Sequence, residues 1–224
     1  KKPVYLRFTE MLQLQNEKII NYYIIIDFLD VMNQAGVNPL RKSLGHDGLM
    51  MPPSTMDGLN PVESYVDQNQ QSEQLVLSML EELGRFDGKS LVSMQLENYW
   101  HPDFMWYGPA GIGTTRGISD FRKNHQGPFV FSFPDRVVDH KAAIIKKGNY
   151  VSTGGWPHMH GTHLTGGWLG LPPSGIKLEL RVIDIWRREN HLLKENWVGI
   201  DIIHMCKQMG LDVFAMMKDA YHLR

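Results

Sequence analysis

Between Trp156 and Asp184 the chain reads WPHMHGTHLTGGWLGLPPSGIKLELRVID, which crowds His158, His160 and His163 among large aromatics and closes on a carboxylate. An imidazole and a carboxylate in one cavity can pass a proton. Asp184 lies in LRVIDIWR, and on an extended strand it shares a face with Val182 and Trp186. A carboxylate there is costly unless it is hydrogen-bonded or opens onto a cavity. Burial raises its pKa and a neighbouring imidazolium lowers it again, a combination that suits acid–base work. The competing reading is an ion pair with Arg181, Arg187 or Arg116.

His158 and His160 share a face with Trp156. His163 falls on the other face unless Gly161 introduces a bulge. Three converging ligands, with Glu179 or Asp184 added, would instead hold a metal. Structural or surface histidines are the third reading. The reading preferred is a pocket with no metal and no cofactor.

All six tryptophans lie after residue 99. Phe104, Trp106, His125, Trp156, His158, Trp168, Trp186 and Trp197 are expected to line a pocket for a hydrophobic or aromatic small molecule. Core packing competes for about half of the indoles, and a partner subunit for Trp197. Gly108–Gly117 lacks the Lys-Ser/Thr of a phosphate loop and reads as a rim loop. Asn196 and Asp201 are candidates for supporting the site.

Helical spacing predicts a helix over about 72–84, with Leu75, Met79 and Leu83 on one stripe, and a shorter one over 88–99. DFMWYGP reads as a strand, and a further helix is expected around 118–125. After Pro128 the pattern is strand-rich: FVFSF, the run from Val137 to Trp156, the 156–169 stretch, 176–188, a hairpin turn at 188–191 and LLKENWVG. A helix over 200–209, capped by Gly210, closes the set. Helices followed by strands predict an α+β cone, a curved antiparallel sheet packed against N-terminal helices.

Residues 1–38 match residues 175–212 without a gap. Leu6, Arg7, Asn16, Ile26, Asp27, Gln34 and Gly36 fall on Leu180, Arg181, Asn190, Ile200, Asp201, Gln208 and Gly210. This divides the chain into a partial repeat (1–38), a Pro/Gly-rich linker (39–71) and a complete domain (72–224). The partial unit is too small to fold alone and must dock on the second unit or on another chain. One route to such a chain is trimming of a two-copy protein, and the Lys1-Lys2-Pro3 start need not be native.

Residues 72–212 resemble the SnoaL-like polyketide cyclases of the NTF2-like superfamily, through YWHPDFMWYGPAG, FSFPD, GTHLTGGWLGLPPSGIKLELRVIDIWR and ENWVGIDIIHMCKQMGL. The resemblance implies a cone around a pocket, a dimer packed through open sheets, and cofactor-independent ring closure by intramolecular aldol condensation. It places the acid–base carboxylate at Asp184. It implies a pocket histidine, with His163 the first candidate and His160 and His125 behind it. The leading 70 residues and the HMH before GTH depart from the family pattern. A hydrolase on the same pocket and a non-catalytic binder of hydrophobic molecules are the alternatives.

A net charge of −1 gives no electrostatic reason to expect nucleic acid or an anionic membrane. One cysteine excludes an intrachain disulfide and fits a reducing, cytoplasmic setting. The longest apolar run, Ile19–Leu29, is too short to span a bilayer. A homo-oligomer is expected.

Overall fold

The computed structural model describes residues 3–57, 66–139 and 143–222. Strands β1 (Phe8–Gln15) and β2 (Lys18–Ile26) form a hairpin that leads into helix α1 (Phe28–Gln34). Asn16 and Glu17 both take positive φ, the tight two-residue turn that matches strand twist. Helix α2 (Val66–Leu83) begins six residues before the expected start at 72, inside the stretch read as a linker, and is followed by two short 3₁₀ turns, β3 (Trp100–Tyr107), β4 (Thr115–Arg116), α3 (Gly117–Phe121) and α4 (Gly127–Ser132). Strands β5 (Val137–Val138), β6 (Ala143–Lys147), β7 (Tyr150–Thr162), β8 (Lys177–Glu189) and β9 (Leu192–Ile200) come next, before α5 (Ile202–Gln208) and α6 (Val213–His222).

Among the described residues the main sheet runs β4-β3-β9-β8-β7-β5, with β6 also paired to β7. The α+β class holds, but the sheet is mixed rather than antiparallel, because β3 and β9 run parallel. The long excursion from β3 through helices and five strands lets the chain return in the same direction. The expected 88–99 helix is two 3₁₀ turns, and α6 was not anticipated.

FVFSF is helical, not a strand. Residues 117–132 form one helical run with a wide π-turn at Arg122–Gln126. Pro128 directly follows the π-turn, where Gly127 N–H already bonds five residues back to the Arg122 carbonyl and the regular i→i−4 ladder is interrupted. Phe121, His125, Phe129 and Phe133 recur every four residues and touch ring to ring down one helix face.

One face of the sheet packs against this run and α2. Leu180, Val182 and Trp186 of β8 and Val198 of β9 join Val76, Met79, Phe121 and Phe133 in one core. The opposite face is covered by the β1–β2 hairpin and by residues 46–57. Gly199 makes that approach possible: a Cβ there would lie 2.2 Å from Thr9 Cγ2. Arg7 Nη1 donates to the Gly108 carbonyl at 2.8 Å, and Ala110 N–H donates to Asp27 Oδ2 at 2.9 Å. The linker is tied down by Trp197 Nε1 to the Met51 carbonyl (2.8 Å) and by Ser54 N–H to Glu195 (3.0 Å). No helix of the described residues is long and apolar enough to cross a membrane.

Candidate functional site

Register assembles the site. Trp106 lies opposite Asn196, Asn196 opposite Trp186, and Trp186 opposite Val151, one row across four strands on the helix-covered face. In the next row Val198, Asp184 and Thr153 stand side by side. Asn196 ties the rows together. Its Nδ2 donates to Asp184 Oδ1 at 3.3 Å and to the Ile185 carbonyl at 3.2 Å.

Asp184 is surrounded by protein yet keeps intermediate surface exposure. Burial drives its pKa from 3.8 up to about 7, against a smaller lowering by the Asn196 hydrogen bond. No ion pair holds Asp184 among the described residues. Arg187 instead pairs with Glu195 and Glu189, and Arg181 with Asp201, all on the other face. A carboxyl near half-ionised at neutral pH is suited to taking and returning a proton.

Thr153, fully buried across from Asp184, has a hydroxyl with no hydrogen-bond partner among the described residues. The Trp106 indole folds over Gly108, where a Cβ would lie 2.0 Å from indole Cζ3, and His125 stacks on that indole at 3.9 Å. Burial pushes the His125 pKa down to about 3, so the ring is neutral, and its Nδ1 has no hydrogen-bond partner among the described residues. Unpaired buried polar atoms are uncommon in a finished core, and two flank this carboxyl's surroundings.

The other expected residues separate into two groups. Phe104, Trp168 and Trp186 belong to the same interior core. His163 is buried and stacks on Phe133, and Ser174 N–H donates to its Nδ1 at 3.4 Å. Burial lowers its pKa, partly offset by a backbone bond at Thr165. His163 shares a side of the sheet with Asp184, but the register places it opposite Ile176, eight residues along β8. At ~3.3 Å per residue that separation rules out direct contact.

His160 lies 3.8 Å from Glu179 on the opposite face and is half-buried. Trp156 packs against Tyr23, and with Met11 borders a cavity of about 410 Å³ under the hairpin. Trp197 stacks on Tyr107 and borders a second such cavity of about 290 Å³ with Ile25 and Met50. The sheet separates both from Asp184. His158 is buried where the β7–β8 register shifts between Gly155 and Met159. Among the described residues no three His, Cys, Asp or Glu side chains converge as metal ligands.

Sequence reasoning missed Thr153. Only the β7–β8 register reveals it, and that register is interrupted by the shift at Gly155. Asn196 was noticed as a supporting residue, and it is the direct partner of Asp184.

A family model described as "SnoaL-like polyketide cyclase" matches residues 90–209, more than half of the chain. No curated protein matches the sequence significantly. Among solved structures, a protein assigned to the SnoaL-like polyketide cyclases from Jannaschia sp. CCS1 superposes with a TM-score of 0.50 at 16% identity, covering 64% of this chain and 96% of that one. A second, from Shewanella denitrificans OS-217, also gives 0.50 at 16% identity, over 62% and 96%. Likeness at that level speaks for the fold alone.

Proposed function

This chain belongs to the SnoaL-like polyketide cyclase family, and we propose that it catalyses proton abstraction α to a carbonyl, followed by intramolecular aldol-type ring closure of a polyketide-like substrate. The observation that carries the reading is Asp184: a buried carboxyl with a pKa of about 7, held by Asn196 on the aromatic-lined face.

Asp184 as carboxylate takes the acidic proton. The enolate left behind attacks a second carbonyl of the folded chain, and the new alkoxide takes a proton back. Thr153, beside Asp184 in the register, is assigned a hydrogen bond to the alkoxide and keeps its own proton. The protonated Asp184 returns the proton it took. The Trp106–His125 stack and Trp186 hold the substrate in a bent, reactive conformation, so much of the rate comes from orientation. His163 remains in the proposal as a buried, neutral donor further along the sheet. His160 is left out because it faces away. All the proton transfers are made by side chains of this chain, and the scheme calls on no cofactor.

The aromatic side chains around Asp184 favour a flat, largely apolar substrate, and the proposed ring closure requires that it carry two carbonyls. The test uses a panel of poly-β-ketone esters. Asp184→Asn is expected to lower turnover by roughly 100-fold or more. Infrared titration of the unliganded protein is expected to show a carboxyl band lost near pH 7 in the wild type and missing in the variant. Unchanged turnover in Asp184→Asn would reject the assignment.

Residues 1–38 are read as a partial first copy, 39–71 as a linker and 72–224 as the complete unit. Equivalent hydrogen bonds support this. Asp27 N–H donates to the Arg7 carbonyl and, 174 residues on, Asp201 N–H to that of Arg181. Val37 N–H donates to Met32 and Leu211 N–H to Cys206.

A further inference from the structure

The β1–β2 hairpin turns one face to the main sheet and the other outward. Thr9, Met11, Tyr23 and Ile25 face inward. Phe8, Leu12, Tyr22 and Ile24 are exposed, as are Leu6 and Phe28 nearby. An outward stripe this apolar is unusual on a finished surface. Its composition follows from the repeat. Leu6, Phe8, Leu12 and Ile24 stand at the positions of Leu180, Val182, Trp186 and Val198, which form the inner wall beside Asp184. Even the polar pair is reproduced. Glu10 stands where Asp184 does and Tyr22 where Asn196 does, and the Tyr22 hydroxyl donates to Glu10 Oε2 at 2.6 Å.

The complete unit shows what covers such a wall, α2 and the helical run 117–132, and that β3 extends it beside β9. A second observation points to the same occupant. Arg7 and Asp27 grip the Gly108–Ala110 loop of the main unit. Their counterparts Arg181 and Asp201 pair at 3.4 Å, with Arg181 over the Trp156 ring, and among the described residues they make no hydrogen bond equivalent to that grip. Ile25 also lies beside Gly199, its own counterpart, where a Cβ on Gly199 would come within 3.7 Å of Ile25 Cβ, as residues near a local two-fold axis do. A two-fold relation brings the covering segment's counterpart of Gly108 and Ala110 to Arg181 and Asp201.

We propose that the outward face of the β1–β2 hairpin is the inner wall of a second SnoaL-like cavity, completed by a partner polypeptide that supplies the equivalents of residues 66–176. The inference rests on the repeat reading of residues 1–38. In the completed unit Glu10 and Tyr22 take the places of Asp184 and Asn196, and the partner also touches Arg181.

The test extends the full chain with a second copy of residues 66–176, joined ahead of Pro3, the position equivalent to Lys177. Three results are expected. The β1–β2 amides exchange about 10-fold more slowly or better. Binding of the dye ANS falls. Arg181→Ala in the extended chain reverses part of both gains. Phe8→Glu should leave the melting temperature of the unextended chain unchanged and restore dye binding in the extended one.

An extension that folds while exchange and dye binding stay as before would overturn the cover and leave the repeat standing. An extension that stays unfolded would also count against the cover, since the hairpin wall is what should fold it. A hairpin that leaves the main sheet in the extended chain would overturn the repeat reading itself. An unextended chain that sediments as a dimer and cross-links through Phe8→Cys would make the occupant a second copy, and the proposal fails.

Discussion

Arg7–Asp27 and Arg181–Asp201 occupy the same place in two hairpin–helix units, and the two units share nearly every local bond. Asp27 caps α1 through Asp30 N–H as Asp201 caps α5 through His204 N–H. The turn asparagines Asn16 and Asn190 take φ of 50° and 53°, and Gly36 and Gly210 both end their helices at 78°. The difference lies in what each unit's faces meet. In the second unit helices cover Val182 and Trp186. In the first the equivalent Phe8 and Leu12 face outward. Caps and turn residues therefore set the local scheme without help from neighbours. The chemistry of the carboxyl depends wholly on the cover. Glu10 is exposed, and Asp184, at the same backbone position, is raised to about 7.

The largest expected contrast is between these two carboxyls. Asp184 has its folded-state pKa raised from 3.8, so between about pH 4 and pH 7 the unfolded chain releases the proton first and stability falls as pH rises. Above pH 7 the penalty is complete, up to ~4 kcal/mol at 1.36 kcal/mol per pKa unit. Asp184→Asn cannot ionise and should remove that pH dependence, stabilising the protein at pH 8 while abolishing turnover. Glu10→Gln should change stability by less than ~0.5 kcal/mol at either pH. Urea unfolding at pH 5 and pH 8 measures both. Equal effects of the two substitutions would break the comparison.

The arginines come next. Arg7 and Asp27 have side chains only 12% and 9% exposed, against 35% and 25% for Arg181 and Asp201. Arg7→Ala leaves Asp27 partly buried and the Gly108 carbonyl without its donor, at a cost of ~2–4 kcal/mol. Arg181→Ala should cost under ~1 kcal/mol, as screened surface pairs do. Chemical denaturation of the two variants side by side decides this. A smaller expected effect concerns Gly199. A side chain there meets Thr9, so Gly199→Val should cost ~1–3 kcal/mol. It should also speed proteolysis within residues 8–26 while sparing β8 and β9.

Legibility in the sequence followed the same divide between local bonds and what lies across from them. The β8–β9 hairpin, its turn and the capped α5 could be read directly, because turn, cap and period are local signals. The orientation of Asp184 followed from Val182 and Trp186. Pro128 hid the helical run 117–132, although Phe121, His125, Phe129 and Phe133 already stood at helical spacing. Trp156 and Trp197 could not be assigned a side. The first hairpin buries the outer face as well, so both faces of the sheet are apolar and alternation alone does not say which is the interior. The shift between Gly155 and Met159 adds two residues to β7 and so keeps its alternation, leaving His160 out and His163 in, on the opposite faces that their spacing predicts.

The smallest expected effect is the sharpest check of equivalence. Gln34 accepts from Tyr5 N–H at 2.8 Å and donates to the Tyr5 carbonyl at 2.7 Å; Gln208 does the same to Glu179 at 2.9 and 2.8 Å. Each glutamine thereby pairs as a third strand would with the backbone before or within its hairpin, and both pairs of bonds are solvent-exposed. Two such bonds are worth ~1 kcal/mol net near water. Gln34→Ala and Gln208→Ala should therefore cost the same to within a few tenths of a kcal/mol, although one lies in the docked unit and the other in the core unit. If Gln34→Ala costs little and Gln208→Ala much, the first unit is only weakly seated and frays independently. Amide exchange at Tyr5 and Glu179, measured in the same two variants, separates that fraying from a true difference between the bonds.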